Sequence, residues 1–407
     1  MSILIKNCRI FTGLEDTLRP IGWVLTENNL ISAIGEGDSN LSADKIIDAK
    51  GRTLLPGMMN LHVHIQRRHV SRGNALFRSG ATNVAACPEA ERILYALRNA
   101  WYELSIGTTT IRDLTSQSRV SNKLRDYFNI GIFNGPRLIT CGTAIACTGG
   151  HGAHRNHEDS LEADGPYEVA KAVRLEIKEG AQFIKMMASG GLAGMPEYEH
   201  PDWVEFSSEE FEAGIKAAHS HQKKVTVHAM GELPPLTAIK AGVDGIEHGT
   251  KLTDESISLM LKNNIYYVPT MSGITALADR EDEKGSKEMA QTVRELVVWP
   301  QRESVRKAYK AGILIGAGTD TLGELVHELE LMEDCGMTRP DAIRTATLHA
   351  AKIIDKEDCL GQIRPGFIAD MFIIDGNPLD SLGNLRNVRD VICRGIHVTE
   401  KWMCNLQ

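Results

Sequence analysis

Three textures of hydrophobic and polar positions follow one another along the chain. Near the start, ILIKNCRIF, GWVLTENNLISAIG and KIIDAKGRTLLPG are short apolar runs broken by Asn, Gly and Pro, with no helical period. Such runs predict strands joined by turns. Near the other end GQIRPGFIADMFIID and VRDVICRGIHV repeat the pattern. Between them, short β-branched runs alternate with segments of helical period such as PYEVAKAVRLEIKEG and SSEEFEAGIKAAHSHQ, where Ser207 stands as a cap ahead of Glu210. That alternation demands a parallel sheet. Strand ends are expected near His62, Asp113, Cys141, Lys185, His228, His248, Thr270 and Asp320, and eight is the number that closes a (β/α)8 barrel of TIM type. The predicted fold is therefore α/β: a barrel over residues 57–360, inserted into a small β-sandwich that both termini build from residues 1–56 and 361–407. Three connections, residues 66–91, 149–165 and 190–206, are longer than a link requires. Each follows a strand's carboxyl end, so each is expected to overhang the site.

Composition narrows the class. A chain of 407 residues suits one large barrel with appendages better than three average domains. A formal charge of -8 and a pI near 6.0, with no basic stripe, argue against nucleic acid as a partner. The opening MSILIKNCRIFTG lacks the apolar core of a signal peptide, and no stretch approaches the roughly 20 apolar residues of a membrane span. A cytoplasmic protein acting on a small molecule is expected, as a homo-oligomer in keeping with the habit of large barrels. The cysteines (Cys8, Cys87, Cys141, Cys147, Cys335, Cys359, Cys393, Cys404) form no CxxC pair, so they are read as mostly buried thiols rather than a zinc ribbon or disulfide framework.

The chemistry lies at the strand ends. In a strand, positions i and i+2 face the same way, so His62 and His64 can grip one ion together. Alone, the pair would read as two half-exposed histidines. His228, His248 and Asp320 also terminate buried runs, however, and an unpaired charge or imidazole there costs roughly several kcal/mol. A shared metal accounts for all of them. Lys185 discriminates further. An ordinary lysine, with a pKa of about 10.4, is a cation that would repel the ion. Carbon dioxide added to its amine yields a carbamate, an anion whose two oxygens can bridge two cations. The alternative is a lysine paired with a carboxylate such as Asp320.

From LLPGMMNLHVH to GQIRPGFIADMFIID, nearly the whole chain resembles the amidohydrolase superfamily. FIKMMASGG and CTGGHG are similar to the branch of cytoplasmic Xaa-Pro dipeptidases (prolidases), arginine and lysine carboxypeptidases and ochratoxin-type amidases, with imidazolonepropionases as further relatives. The resemblance implies that His62, His64 and Asp320 hold one zinc ion and His228 and His248 a second, with N6-carboxylated Lys185 bridging. Two such cations would turn a bridging water into the hydroxide nucleophile near neutral pH, and Asp320 would shuttle its proton to the leaving amine. The expected reaction is hydrolysis of an amide in a dipeptide or N-acyl amino acid. One alternative is a single-metal hydrolase of cyclic amides or imidazolones, or a deaminase, against which Lys185 argues. Another is a lactonase or esterase on the same metals. A non-catalytic scaffold ranks last, because all six ligand positions are filled.

Other candidates surround that centre. His151, in the glycine-rich turn of CTGGHG, could donate to an oxyanion or could be a surface histidine. Arg67 and Arg68, with Arg72, could clasp a substrate carboxylate or form a solvated charge run. Met230 stands where prolidase-like relatives are expected to carry tyrosine, which sets Xaa-Pro specificity in question. Tyr198 and Trp203 could line the pocket, His154 and His157 could shape it, and His327 could reach its rim. His219 and His221 are assigned to the exterior.

Overall fold

Strands from both ends of the chain share one eight-stranded sheet in the computed structural model, which describes residues 1–67, 88–153, 160–192, 195 and 197–398. Across it run Ile396–Val398, Val388–Cys393, Met371–Ile374, Thr53–Pro56, Ser2–Ile10, Arg19–Glu27 and Leu30–Glu36. Ser2–Ile10 is the branch point. Its first half pairs in parallel with Lys45–Asp48 and its end with Thr53–Pro56. Between the two, Asn7 takes a left-handed φ of 57° at a register shift, the kind of bulge that re-aims a strand. Ile3, Ile5, Val24, Leu54, Ile373 and Ile392 pack on one another as the core of this sheet. Strands from the two terminal segments thus lie side by side in one sheet.

The middle of the chain is α/β. Met58–Val63, Thr108–Asp113 and Arg137–Thr140 form one parallel sheet. Ile184–Met187, Val225–Ala229, Gly245–His248 and Tyr266–Val268 form part of a second. Nearly every residue of these strands is buried, which is why they read as unbroken apolar runs. The second sheet is extended by Ala144–Ala146 and Ser160–Glu162, two strands the pattern did not predict. Lys185 lies inside its strand, which runs on to Met187.

Two sets of backbone bonds connect the sheets. On one side the Gln182 amide donates to the Thr140 carbonyl (2.8 Å). On the other, segment 314–320 bonds in both directions: Gly316 N to Tyr267 O (2.9 Å), Leu61 N to Ala317 O (2.9 Å) and Asp320 N to His62 O (2.8 Å). An eighth strand is expected here, but the segment carries an isolated bridge (Tyr267 to Ile315) rather than a regular ladder. Its glycines explain the irregularity. A Cβ on Gly318 would sit 2.6 Å from His62 Cβ, so the segment lies too close to its neighbour for ordinary side chains.

Helices cover the parallel strands. Ser208–His219 begins with the expected cap: the Ser207 hydroxyl accepts from Glu210 N, and the Glu210 carboxylate accepts from Ser207 N (2.8 Å). Such a box is worth about 1 kcal/mol. Cys8, Cys141, Cys335 and Cys393 are buried free thiols, and Cys147 and Cys359 are half-buried; Cys87 and Cys404 lie outside the described residues. No described helix is long and apolar enough to cross a membrane.

Candidate active site

The parallel strands, the residue just past the first of them and segment 314–320 bring four histidines, a lysine and an aspartate to the wall of one cavity of about 220 Å³. Ring centroids lie 5.4 Å apart for His62 and His64, 4.9 Å for His62 and His248, and 4.6 Å for His228 and His248. His62, His248 and Asp320 each offer a ligand atom within 4.8 Å of the others. His64 Nε2 is 3.3 Å from Asp320 Oδ1.

Lys185 is the anomaly. It is 1% exposed, and among the described residues its Nζ has no hydrogen-bond partner. The alternative of an ion pair with Asp320 is not formed; among the described residues no carboxylate lies within pairing distance of the amine. Burial, aided by the Arg112 charge and opposed by those of Glu247 and Asp320, draws its pKa down to about 8. Burial likewise holds His62, His228 and His248 in the neutral state that can ligate a cation. Neutral imidazoles, one ionised carboxylate and an amine lacking any partner make a donor set that suits divalent metal.

Three of the imidazoles are oriented through one ring nitrogen. His62 Nδ1 meets Glu247 Oε2 at 2.8 Å. Glu247 also accepts from Arg112 Nη2 (2.5 Å) and Thr226 Oγ1 (2.6 Å), while Arg112 donates to Leu61 O (2.6 Å) and the Tyr266 hydroxyl (2.9 Å). Burial opposes ionisation of Glu247, but Arg112 and His62 outweigh it and hold the carboxyl well below its usual range. His248 Nδ1 pairs with Thr270 Oγ1 (2.7 Å). The Nε2 atoms of His62 and His248 are thereby left for a ligand, the arrangement expected of metal-binding histidines. His228 presents the other edge, since its Nε2 meets the Gly190 carbonyl at 3.2 Å.

Backbone strain gathers at the same place. His248 (φ 69°), Thr270 (φ 60°) and Asp320 (φ 56°) all occupy the left-handed region without being glycine, at about 1 kcal/mol or more each. Their surroundings impose it. The Tyr267 hydroxyl donates to the carbonyls of His248 (2.8 Å) and Gly249 (3.0 Å), and Gln301 Nε2 donates to His248 O (2.9 Å). Asp320 Oδ1 accepts from Thr321 N (2.6 Å) and Thr321 Oγ1 (3.1 Å). Burial opposes the Asp320 charge too, but His64 and its neighbours keep the carboxyl well below the ordinary range.

His151 faces this cluster, with its ring stacked on His228 at 4.1 Å and Nδ1 2.6 Å from Glu199 Oε2. Burial works against its protonation, yet the Glu199 bond and charge raise its pKa overall. Its backbone N–H donates to Glu205 Oε1 (2.8 Å). Met187, Leu192, Met230, Ile274, Leu277 and Leu322 make the cavity apolar on one side, and Arg67 and Arg280 bring cationic groups to it.

Of the remaining sequence candidates, Arg67 and Met230 line the cavity, whereas Arg68, Arg72, His154 and His157 lie outside the described residues. Tyr198, 43% exposed, does not line it, and neither does Trp203. Their connection turns these rings outward, which aromatic character alone does not disclose. His327 meets Glu330 on its own helix rather than the rim, and His219 meets Asp244 on the outside. Glu247, Arg112, Thr270 and Arg280 were not anticipated. For the first two a signal existed: GIEHG and TTIRD place charges inside otherwise apolar strands, where each requires a partner.

A model of the amidohydrolase family matches residues 53–398. The chain is 31% identical over 359 residues to ochratoxinase from Aspergillus niger, covering 81% of this chain and 71% of that protein. It is 26% identical over 430 residues to imidazolonepropionase from Treponema denticola, covering 93% and 92%. Among solved structures, a Xaa-Pro dipeptidase with methionine bound in its active site superposes with a TM-score of 0.87 at 32% identity, covering 98% of this chain and 100% of that one.

Proposed function

The chain belongs to the amidohydrolase family and is a hydrolase acting on carbon–nitrogen bonds, and from that premise we propose a binuclear zinc enzyme that cleaves the amide of an N-acyl amino acid or dipeptide bearing an apolar group. On this reading the two parallel sheets and segment 314–320 close a (β/α)8 barrel over residues 57–360, beside a β-sandwich of residues 1–56 and 361–407. The observation that carries the proposal is Lys185, a buried amine without a partner among neutral imidazoles. As a carbamate it becomes the anion that two cations require. His62, His64 and Asp320 would hold one ion and His228 and His248 the other. Bound there, the pair would supply Lewis-acid polarisation of the carbonyl and a lowered pKa for water.

The chain's own groups do the rest. Asp320, ionised and fixed by Thr321, accepts the proton of the attacking water and delivers it to the leaving amine. His151, whose protonated form Glu199 favours, donates to the oxygen on which negative charge develops. Arg67 and Arg280 receive the substrate carboxylate, and the wall that includes Met230 and Ile274 receives its apolar part. The likenesses to ochratoxinase and to a Xaa-Pro dipeptidase support an amide substrate with an amino acid on one side. Met230 widens the apolar wall, which favours bulky groups over proline.

Amine release from a panel of apolar N-acyl amino acids and dipeptides tests the reading. Cleavage is expected, with KM rising about tenfold when the α-carboxylate is capped as an amide, the loss of roughly one charge-assisted contact. Hydrolysis of esters or cyclic ureas without any linear amide would overturn it.

A further inference from the structure

We propose that a second cleft, at the opposite ends of the parallel strands, binds a phosphate group, either as the free ion or on a small phosphomonoester. The cleft has a volume of about 420 Å³ and is lined by Asn29, Asn129, Arg137, Gln182, Lys356 and Arg394 among others. Arg137 opens the strand Arg137–Thr140, and Gln182 precedes Ile184–Met187, so the cleft faces away from His228 and Asp320. Asn29 and Arg394 come from the terminal sheet, which makes the cleft a junction between the two parts of the molecule.

Its charge is unbalanced. Three cationic side chains line it, and no carboxylate does among the described residues. Asp370, behind it, is already committed on both oxygens: Oδ2 accepts from Arg137 Nη1 (2.6 Å) and Oδ1 from the Arg394 backbone N–H (2.6 Å). Among the described residues the Arg394 guanidinium has only a long contact to Asn129 Oδ1 (3.4 Å), and its buried Nε has no partner. Among the described residues neither Arg394 nor Lys356 has a carboxylate in ion-pair range. Burial and the neighbouring Arg137 charge both push the Arg394 pKa down. An anion in the cleft would relieve that repulsion.

The position of Arg394 is also unusual. It forms, with Gly395, the two-residue connection between Val388–Cys393 and Ile396–Val398, with φ of 53° and 74°. Such turns favour Asn-Gly. Gly395 is required, since a Cβ there would lie 1.9 Å from the Asn28 carbonyl oxygen. An arginine in the left-handed position before it is not, so strain is accepted where a planar fork of donors is set against the cleft. Guanidinium, ammonium and amide donors together match a tetrahedral oxyanion.

The test is calorimetric titration of the metal-loaded protein with inorganic phosphate and with glycerol 3-phosphate, at ionic strength held constant with chloride, for wild type, Arg394→Gln and Lys356→Gln. Saturable binding is expected, weakened about tenfold by Arg394→Gln and severalfold by Lys356→Gln, with amide hydrolysis unchanged in phosphate-free buffer. Tighter binding of the ester assigns the cleft to a phosphorylated metabolite, and equal binding to the free ion. No saturable heat beyond chloride, or affinity unchanged in both variants, would overturn the proposal, the latter by locating the phosphate elsewhere. Lys356 is exposed, so its variant tests the site even if Arg394→Gln fails to fold.

Discussion

His62 and His228 face the same cavity, but they are held in different ways. His62 ends a buried chain that runs to Glu247, which also accepts from Thr226 and Arg112, and on through Arg112 to Tyr266 and the Leu61 carbonyl, all on or beside parallel strands. His228 leans on the Gly190 carbonyl and on the ring of His151, which is held in turn by Glu199. Those supports belong to the long connections. One side of the site is therefore set by the sheet, while the other depends on the connections beside it. Rigid strands position ligands, and adaptable loops adjust to what is bound.

That contrast can be broken by experiment. The largest effect is expected from His151→Asn, which removes a donor on the loop side: kcat falls about 100- to 1000-fold while metal content stays at the wild-type level. A variant that instead lost metal would make His151 part of the rigid side. Next is Glu247→Gln, which disturbs the strand side. Metal affinity, measured by competition with a chelator, is expected to fall about 10- to 100-fold. Unchanged affinity would show that the Arg112–Glu247 chain serves only the fold.

A smaller effect sharpens the loop side. Glu199 raises the pKa of His151, so its protonated form, the proposed donor, survives to higher pH. Activity then falls as pH rises through that raised value. In Glu199→Gln the alkaline limb of the kcat profile should move to lower pH, with kcat at neutral pH down about tenfold. A profile that keeps its alkaline limb in place would remove His151 as the proton-bearing group.

Much of this was legible in the chain, and the exceptions have physical causes. The strands ending near His62, Asp113, His228 and His248 stood out because burial on both faces forces a continuous apolar run. Ala144–Ala146 and Ser160–Glu162 did not, being three residues each in a connection rich in glycine. Segment 314–320 read as an ordinary strand, although Gly316 and Gly318 are there to permit close approach rather than a ladder. At the site, the histidines and Asp320 were visible because each closes an apolar run. The Arg112–Glu247 pairing was not, since it spans 135 residues and no local period encodes it. Arg280 sits in a charged stretch that resembles any solvated helix face, and only the folded chain turns it toward the cavity.

The central claim is that Lys185 joins two metal ions. Metal analysis of protein purified in bicarbonate-containing buffer tests it most directly, comparing wild type with Lys185→Ala. About two equivalents per chain are expected in the wild type and one or fewer in the variant, with partial recovery when a short-chain carboxylic acid is supplied to replace the missing carbamate. One equivalent in both proteins would contradict it.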